Sequence, residues 1–285
     1  MTARAPIAAD TLLQRLDGTT QLLGIIGDPV AQVKAPRPLT QLLQSRGHNA
    51  VLVPMHVEAS EVKGLLDALL AVRNFAGLIV TVPHKQVVAG LGVELCSAAR
   101  AAEAVNVVRK IDGRWQADLL DGAGFLASLV AAGFDVKGKA VCIAGAGGAG
   151  NAIAFALAAA GAASIGLHDV DRRRADALVG RLRLAGHVAR AWDGVAGGAD
   201  LLVNATPAGM RANDPLPFAR SAIRGGMFVA DVIMEPHMTA LLAAAKEEGA
   251  QIVHGRGMMD HQLDRMADFF SRALAQPRPA EGAAS

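Results

Sequence analysis

An apolar run from Ala140 to Ala144 leads directly into Gly145-Ala146-Gly147-Gly148-Ala149-Gly150, and an alanine-rich stretch of helical character follows. This is the context a dinucleotide fingerprint requires: strand, glycine turn, helix. Glycines allow the tight turn and the close approach of backbone N–H groups to a pyrophosphate, which then sits on the positive end of the helix. A glycine-alanine string alone also serves ordinary helix packing. Its position between this strand and this helix favours the nucleotide reading.

Around that feature, β-branched runs alternate with alanine- and leucine-rich helical patterns, so the chain reads as α/β with a mostly parallel sheet. In the first half the strands are Leu22 to Gly27, Ala50 to Met55 and Gly77 to Val82, with helices at 40–46, 59–70 and 85–91. Asp112-Gly113 then marks a hairpin turn between 104–110 and 114–119. In the second half, strands at 140–144, 164–167, 201–204, 226–232 and 251–253 alternate with helices at 122–132, 172–184 and 239–248. A last amphipathic helix, 258–274, carries Met259, Leu263, Met266, Phe269 and Phe270 on one side and is expected to pack back on the first domain. The 285 residues, 52% hydrophobic and 19% charged, suit two domains with sizeable cores. We expect an N-terminal α/β substrate domain over 1–121, completed by 256–276, a Rossmann domain over 122–255, and a disordered tail over 277–285.

Composition narrows the partners. A net charge of +2 offers no field for phosphate backbones or anionic lipid, so neither nucleic acid nor a membrane is expected. The most apolar window, 152–167, is broken by Gly161 and is too short to span a bilayer, and the first twenty residues lack a signal-peptide core. Cys96 and Cys142 read as reduced core thiols of a cytoplasmic protein, and no histidine or cysteine spacing suggests a metal. One sequence leaves the oligomeric state open, a homodimer included.

The strand after the glycine turn ends at His168-Asp169. A carboxylate there accepts hydrogen bonds from the adenine-ribose hydroxyls and repels a 2′-phosphate, which favours NAD over NADP. Arg172, Arg173 and Arg174 argue the other way, unless they are solvated residues of the next helix's first turn.

In open parallel sheets ligands bind beyond the carboxyl ends of the strands. Lys85 follows the buried strand and Pro83 in Thr81-Val82-Pro83-His84-Lys85, a setting that suits a lysine to proton transfer, although an exposed lysine at a helix start is the blander alternative. Asp121 ends the hairpin strand and either pairs with Lys85 or caps a helix.

These segments together resemble the shikimate and quinate dehydrogenase family. The resemblance rests on Ile79 to Lys85, Glu103-Ala104-Val105-Asn106, Asp121-Gly122-Ala123-Gly124-Phe125, the glycine cluster, Asn204-Ala205-Thr206-Pro207-Ala208-Gly209-Met210, Asp231 with Pro236 and Thr239, and Gly257-Met258-Met259 with Gln262. They occur in family order over nearly the whole chain. The resemblance implies a two-domain enzyme that reversibly oxidises a ring hydroxyl of a small cyclic polyol or hydroxy acid, passing hydride to a nicotinamide. By that similarity Lys85 is the catalytic lysine and Asp121 its partner, while Thr81, Asn106 and Gln262 hydrogen-bond other ring hydroxyls. Gly145, Ala146, Gly147, Gly148, Ala149, Gly150, Asp169, Asn204, Ala205, Thr206, Pro207, Met210, Val232 and Gly255 fall to the cofactor.

The sequence departs from the family where the substrate carboxylate is held. Two serines are usual in the loop after the first strand, and Val33 and Ala35 stand in their places around Lys34. An assisting tyrosine is replaced by Met234, and Leu119-Leu120 precede Asp121 where asparagine and threonine are common. Losing polar partners for a buried charge costs several kcal/mol, roughly a thousandfold in affinity. Either the substrate is less polar at that end, or Lys34, Arg37 or His237 holds the anion, so shikimate itself is expected to be a poor substrate. A non-catalytic NAD- or metabolite-binding regulator is the alternative from another class.

Overall fold

The computed structural model describes residues 16–194 and 198–275; the expected tail at 277–285 lies outside them. The chain divides into two units. The first takes Met1–Glu94, Val107–Ala117 and Met266–Ser285, and the second takes Leu95–Asn106 and Asp118–Arg265.

In chain order the first unit begins with β1 (Gln21–Gly27), α1 (Pro36–Ser45), β2 (Ala50–His56), α2 (Val62–Ala71), β3 (Phe75–Val80), α3 (Lys85–Ala89) and β4 (Glu94–Leu95). A short helix α4 (Ser97–Ala102), which belongs to the second unit, precedes the hairpin β5 (Val107–Ile111) and β6 (Arg114–Asp118). The six strands form one sheet in the order β2-β1-β3-β5-β6-β4. β1 pairs in parallel with β2 and β3, whereas β3 and β5 are antiparallel. The hairpin turns on Asp112 and Gly113, both at positive φ (48° and 73°), the backbone that an Asp-Gly pair tolerates best.

Several first-half boundaries differ from the sequence reading, and prolines account for two of them. α1 starts at Pro36, ahead of the expected Thr40, because a proline at the first helical turn lacks only an N–H that would be orphaned anyway. β3 runs from Phe75 to Val80; the chain then leaves the ladder before Pro83, which has no N–H to donate.

The second unit contains α5 (Asp121–Ala131), β7 (Ala140–Ala144), α6 (Gly148–Ala159), β8 (Ser164–His168), α7 (Arg172–Leu184), β9 (Ala189–Ala191), β10 (Leu201–Asn204), β11 (Phe228–Asp231), α8 (Ala240–Glu247) and β12 (Gln251–Val253). Its sheet order is β12-β11-β10-β7-β8-β9 and every pairing is parallel. Read from the other edge, with β7 as the first strand, this is the doubly wound 3-2-1-4-5-6 order, and the strand sequence reverses between β7 and β10. α5 and α6 pack closely because a Cβ at Gly122 would run into the carbonyl oxygen of Ala152.

The final helix, α9 (Gly255–Leu274), starts three residues earlier than the sequence suggests. From Met266 onward it belongs to the first unit: Phe270 lies against Gly77, and Gln21 Nε2 donates to Leu274 O at 2.9 Å. Arg109, buried, donates to Phe269 O at 3.0 Å and lies 4.4 Å from the Phe269 ring centroid. Cys142 is a core thiol as expected, but Cys96 is half-buried at the start of α4 and not in the core. Among the described residues no helix is long and apolar enough to cross a membrane.

Candidate active site and cofactor site

In the second unit three side chains from distant stretches of sequence converge. Asp121, the first residue of α5, is buried, and its Oδ1 accepts from Asn106 Nδ2 at 3.0 Å and from Gln262 Nε2 at 2.6 Å. Asn106 in turn accepts from the Leu120 backbone N–H at 2.8 Å, which ties the carboxylate to the segment just before β5. Gln262 comes this near because Gly124, on the facing turn of α5, has no side chain. A Cβ there would lie 3.0 Å from both Gln262 Cβ and Met258 O. Asp121 does not cap α5; Leu120 holds the cap position and makes no side-chain cap bond. A buried carboxylate gripped by two amide donors is a fixed hydrogen-bond acceptor.

In the first unit Thr81 directly follows β3, and its N–H donates to Ile26 O of β1 at 3.0 Å. A Cβ at Gly27 would meet Thr81 Cγ2 at 2.7 Å, so the carboxyl ends of β1 and β3 are in close contact. Lys85, half-buried, is the first residue of α3. His84 before it is fully buried, its Nε2 donating to Val57 O at 2.7 Å, which anchors the Thr81–Lys85 turn. The loop after β1 presents Val33 half-buried, Lys34 exposed and Ala35 buried at the start of α1. Of the other two cations considered for an anion, Arg37 and His237 are both exposed, and His237 stacks on His254 with ring centroids 3.9 Å apart. Thr81, Lys85, Val33, Lys34 and Ala35 thus fall in the first unit, and Asp121, Asn106, Gln262 and the exposed Met234 in the second.

The glycine turn closes as its composition demands. Gly145 has φ +98° and donates to His168 O at 2.7 Å, and a Cβ at Gly150 would strike the Gly145 carbonyl. Ala205 O would lie 2.7 Å from a Cβ on Gly145, so the loop after β10 lies against the turn. Nothing approaches within 4 Å of the position a Gly147 Cβ would occupy, at the start of α6, leaving room for a ligand over the helix N-terminus. The turn fits a dinucleotide.

Asp169 Oδ2 accepts from Ala146 N at 2.7 Å and its Oδ1 from Asp171 N at 2.9 Å, so one carboxylate joins the glycine turn to the end of β8. Arg172, Arg173 and Arg174 are exposed on the first turn of α7, which Asp171 caps. Arg172 and Arg174 lie 3.8 and 3.6 Å from Asp176 and Asp171.

The sequence resemblance gives Asn204 and Thr206 to the cofactor, but the hydrogen bonds that join Asn204 to Asp231, and Asp231 to Thr239, under the β10 loop were not foreseen. Asn204 Oδ1 accepts from Thr206 N and Oγ1, while its Nδ2 donates to Ala208 O and to Asp231 Oδ1. Asp231 also accepts from Ile233 N and Thr239 Oγ1; burial, its largest influence, pushes its carboxyl above the ordinary value. Gly255 lies so close to Val232 O that any side chain would collide. Asn204, Thr206, Val232 and Gly255 are therefore parts of one packed rim at the carboxyl ends of β10, β11 and β12.

Comparison with known proteins accords with this geometry. Residues 25–108 match the model of the shikimate dehydrogenase substrate binding domain. A shikimate dehydrogenase (NADP(+)) of Rubrobacter xylanophilus is 40% identical over 257 residues, covering 87% of this chain and 89% of its relative. The chain belongs to the shikimate dehydrogenase family. It is a nicotinamide-dependent oxidoreductase of that family. Among solved structures, shikimate 5-dehydrogenase from Listeria monocytogenes in complex with shikimate and NAD superposes with a TM-score of 0.85 at 28% identity, over 93% of this chain and 95% of that one. The 5-ketofructose reductase of a Gluconobacter strain superposes with a TM-score of 0.80 at 29% identity, over 90% and 98%.

Proposed function

We propose that this member of the family oxidises and reforms a ring hydroxyl of a shikimate- or quinate-like cyclic polyol, with shikimate itself a poor substrate and NAD the preferred cofactor. The observation that carries the reading is the contrast between two groups of residues. Asp121 keeps two amide donors, Asn106 and Gln262, whereas the loop after β1 offers Val33 and Ala35 where the family resemblance implies serines. The hydroxyl chemistry is retained and the carboxylate grip is not.

A nicotinamide, when bound, would supply the acceptor and donor of hydride. In the roles that the family resemblance implies, Lys85 exchanges the hydroxyl proton, and Asp121, held rigid by Asn106 and Gln262, serves as a hydroxyl acceptor. Thr81 holds a neighbouring hydroxyl. Val33 and Ala35 make the far end of the substrate site apolar. Lys34 is too exposed to replace two buried hydroxyls as an anion's partner, since a charge interaction in water is weak. The likeness to a 5-ketofructose reductase supports a substrate without a carboxylate, because the keto sugar in that name has none.

For the cofactor, Asp169 supports NAD: its carboxylate stands at the end of β8, and the three arginines are first-turn residues of α7. Steady-state kinetics with NAD and NADP over shikimate, quinate and uncharged ring polyols and keto sugars test the reading. Turnover of an uncharged ring substrate with at least a hundredfold higher kcat/KM than shikimate is expected. Efficient shikimate oxidation at micromolar KM would overturn it. Loss of turnover in Lys85→Ala with cofactor binding intact separates the enzyme from a mere binder.

A further inference from the structure

A cavity of ≈ 330 Å³ opens beyond the carboxyl ends of β8 and β9, against the first turns of α7. Leu167, Ala175, Ala191 and Trp192 supply its apolar walls. Its polar groups are His168, Asp169, Arg172 and Asp193. Trp192 is buried and wedged between His168 and Phe218, with ring centroids 6.5 and 5.3 Å away, and its backbone N–H donates to Leu167 O at 2.8 Å. The residue after it is therefore delivered to the cavity mouth by a rigid neighbour. That residue is Asp193, exposed, and it lines the same cavity as Asp169.

We propose that Asp193 is a second cofactor-selecting carboxylate, acting with Asp169 to keep a 2′-phosphate out of this cavity. The proposal rests on the NAD reading above and adds a residue to it from a separate strand end. Apart from His168, the described lining carries two carboxylates and one guanidinium. Among the described lining residues Arg172 is the one arginine or lysine, and it already lies 3.8 Å from Asp176. A phosphomonoester brings close to two negative charges at neutral pH. Each carboxylate of the lining adds a like charge for that group to meet. Asp169 is moreover committed to Ala146 N and Asp171 N, which fixes it in place and prevents it from swinging aside for a phosphate. A ribose with free hydroxyls meets no such repulsion, since a carboxylate oxygen accepts from a hydroxyl.

Isothermal titration of the full chain with adenosine 5′-monophosphate, adenosine 2′,5′-bisphosphate, NAD and NADP tests the idea without a turnover assay. Wild type is expected to bind NAD more tightly than NADP. Asp193→Asn is expected to tighten the 2′-phosphorylated ligands roughly fivefold or more, the factor that removing one nearby like charge in a solvated setting gives, with little change for the unphosphorylated pair. The gain should shrink as salt is raised. Asp193→Ser repeats the test should the asparagine variant fold poorly. If wild type prefers NAD but neither variant alters the ratio of 2′-phosphorylated to unphosphorylated affinity, the role of Asp193 is overturned and the NAD reading stands. If wild type prefers NADP, the NAD reading fails, and an unchanged ratio in the variants overturns Asp193 as well.

Discussion

Gln262 Nε2 lies 2.6 Å from Asp121 Oδ1, joining two residues 141 positions apart in a buried hydrogen bond. The bond gives an amide on the last helix control over the carboxylate that opens α5. Gln262→Ala should leave Asp121 under-partnered and lower kcat/KM by roughly ten- to a hundredfold, the loss of one hydrogen bond to a charged group. Steady-state kinetics beside a thermal melt check this; a fall in melting temperature with unchanged kcat/KM would reduce Gln262 to a packing role.

Asn106 should behave differently, since it serves both Asp121 and the Leu120 N–H. Asn106→Ala is expected to lower both activity and stability, the latter by about 1–3 kcal/mol for the orphaned buried groups. Urea denaturation measures the second effect and kinetics the first.

Gly150→Ala should be more damaging than a typical glycine-to-alanine change in a helix. The new methyl has no place beside the Gly145 carbonyl, so the turn must open. Calorimetric titration should show NAD binding lost or weakened at least tenfold, and urea denaturation should show destabilisation of about 1–3 kcal/mol. Normal affinity would mean that the turn does not hold the cofactor.

Thr239 caps α8 through Leu242 N and donates to buried Asp231. Thr239→Val removes both bonds and should cost about 1–3 kcal/mol. The cost should depend on pH. Burial raises the folded-state pKa of Asp231 above 3.8, so this group's contribution to stability falls as pH rises from 3.8 through the raised value. The Thr239 hydroxyl favours the ionised form, and its removal raises the folded pKa further. The variant's deficit should therefore be larger at pH 7 than at pH 4, a trend that chemical denaturation at the two values will show or refute.

Cys142 sits in the core of the second unit, where burial, the largest influence, pushes its thiol up to about 11. Its thiolate fraction at pH 8 is small, and access is blocked. Peptide mapping after alkylation at pH 8 should find Cys142 unmodified in native protein and modified in urea.

The regular elements of the second unit were legible because each carries its own signal. β7, α7, β10 and β12 match the ranges expected from apolar runs and helical spacing. β4, α4 and β9 were not. Two or three residues of strand, or six alanine-rich residues of helix, are too short to display a period, and β9 reads Ala-Arg-Ala with no apolar alternation. That omission also concealed the cavity beside Trp192 and Asp193, since its wall is the end of β9.

What the chain determined by itself is the α/β class and the dinucleotide turn, because apolar runs alternating with helical patterns mark the one and a strand, six glycine and alanine residues and a helix mark the other. Only the tertiary structure decided that Asn106 and Gln262 both bond to Asp121, that Asp169 is tied to Ala146, and that Asp193 shares a cavity with Asp169. Hydrogen bonds and like-charge repulsion act over a few ångströms in space, and no spacing along the sequence encodes which distant strand ends and helices the packing will bring within that range.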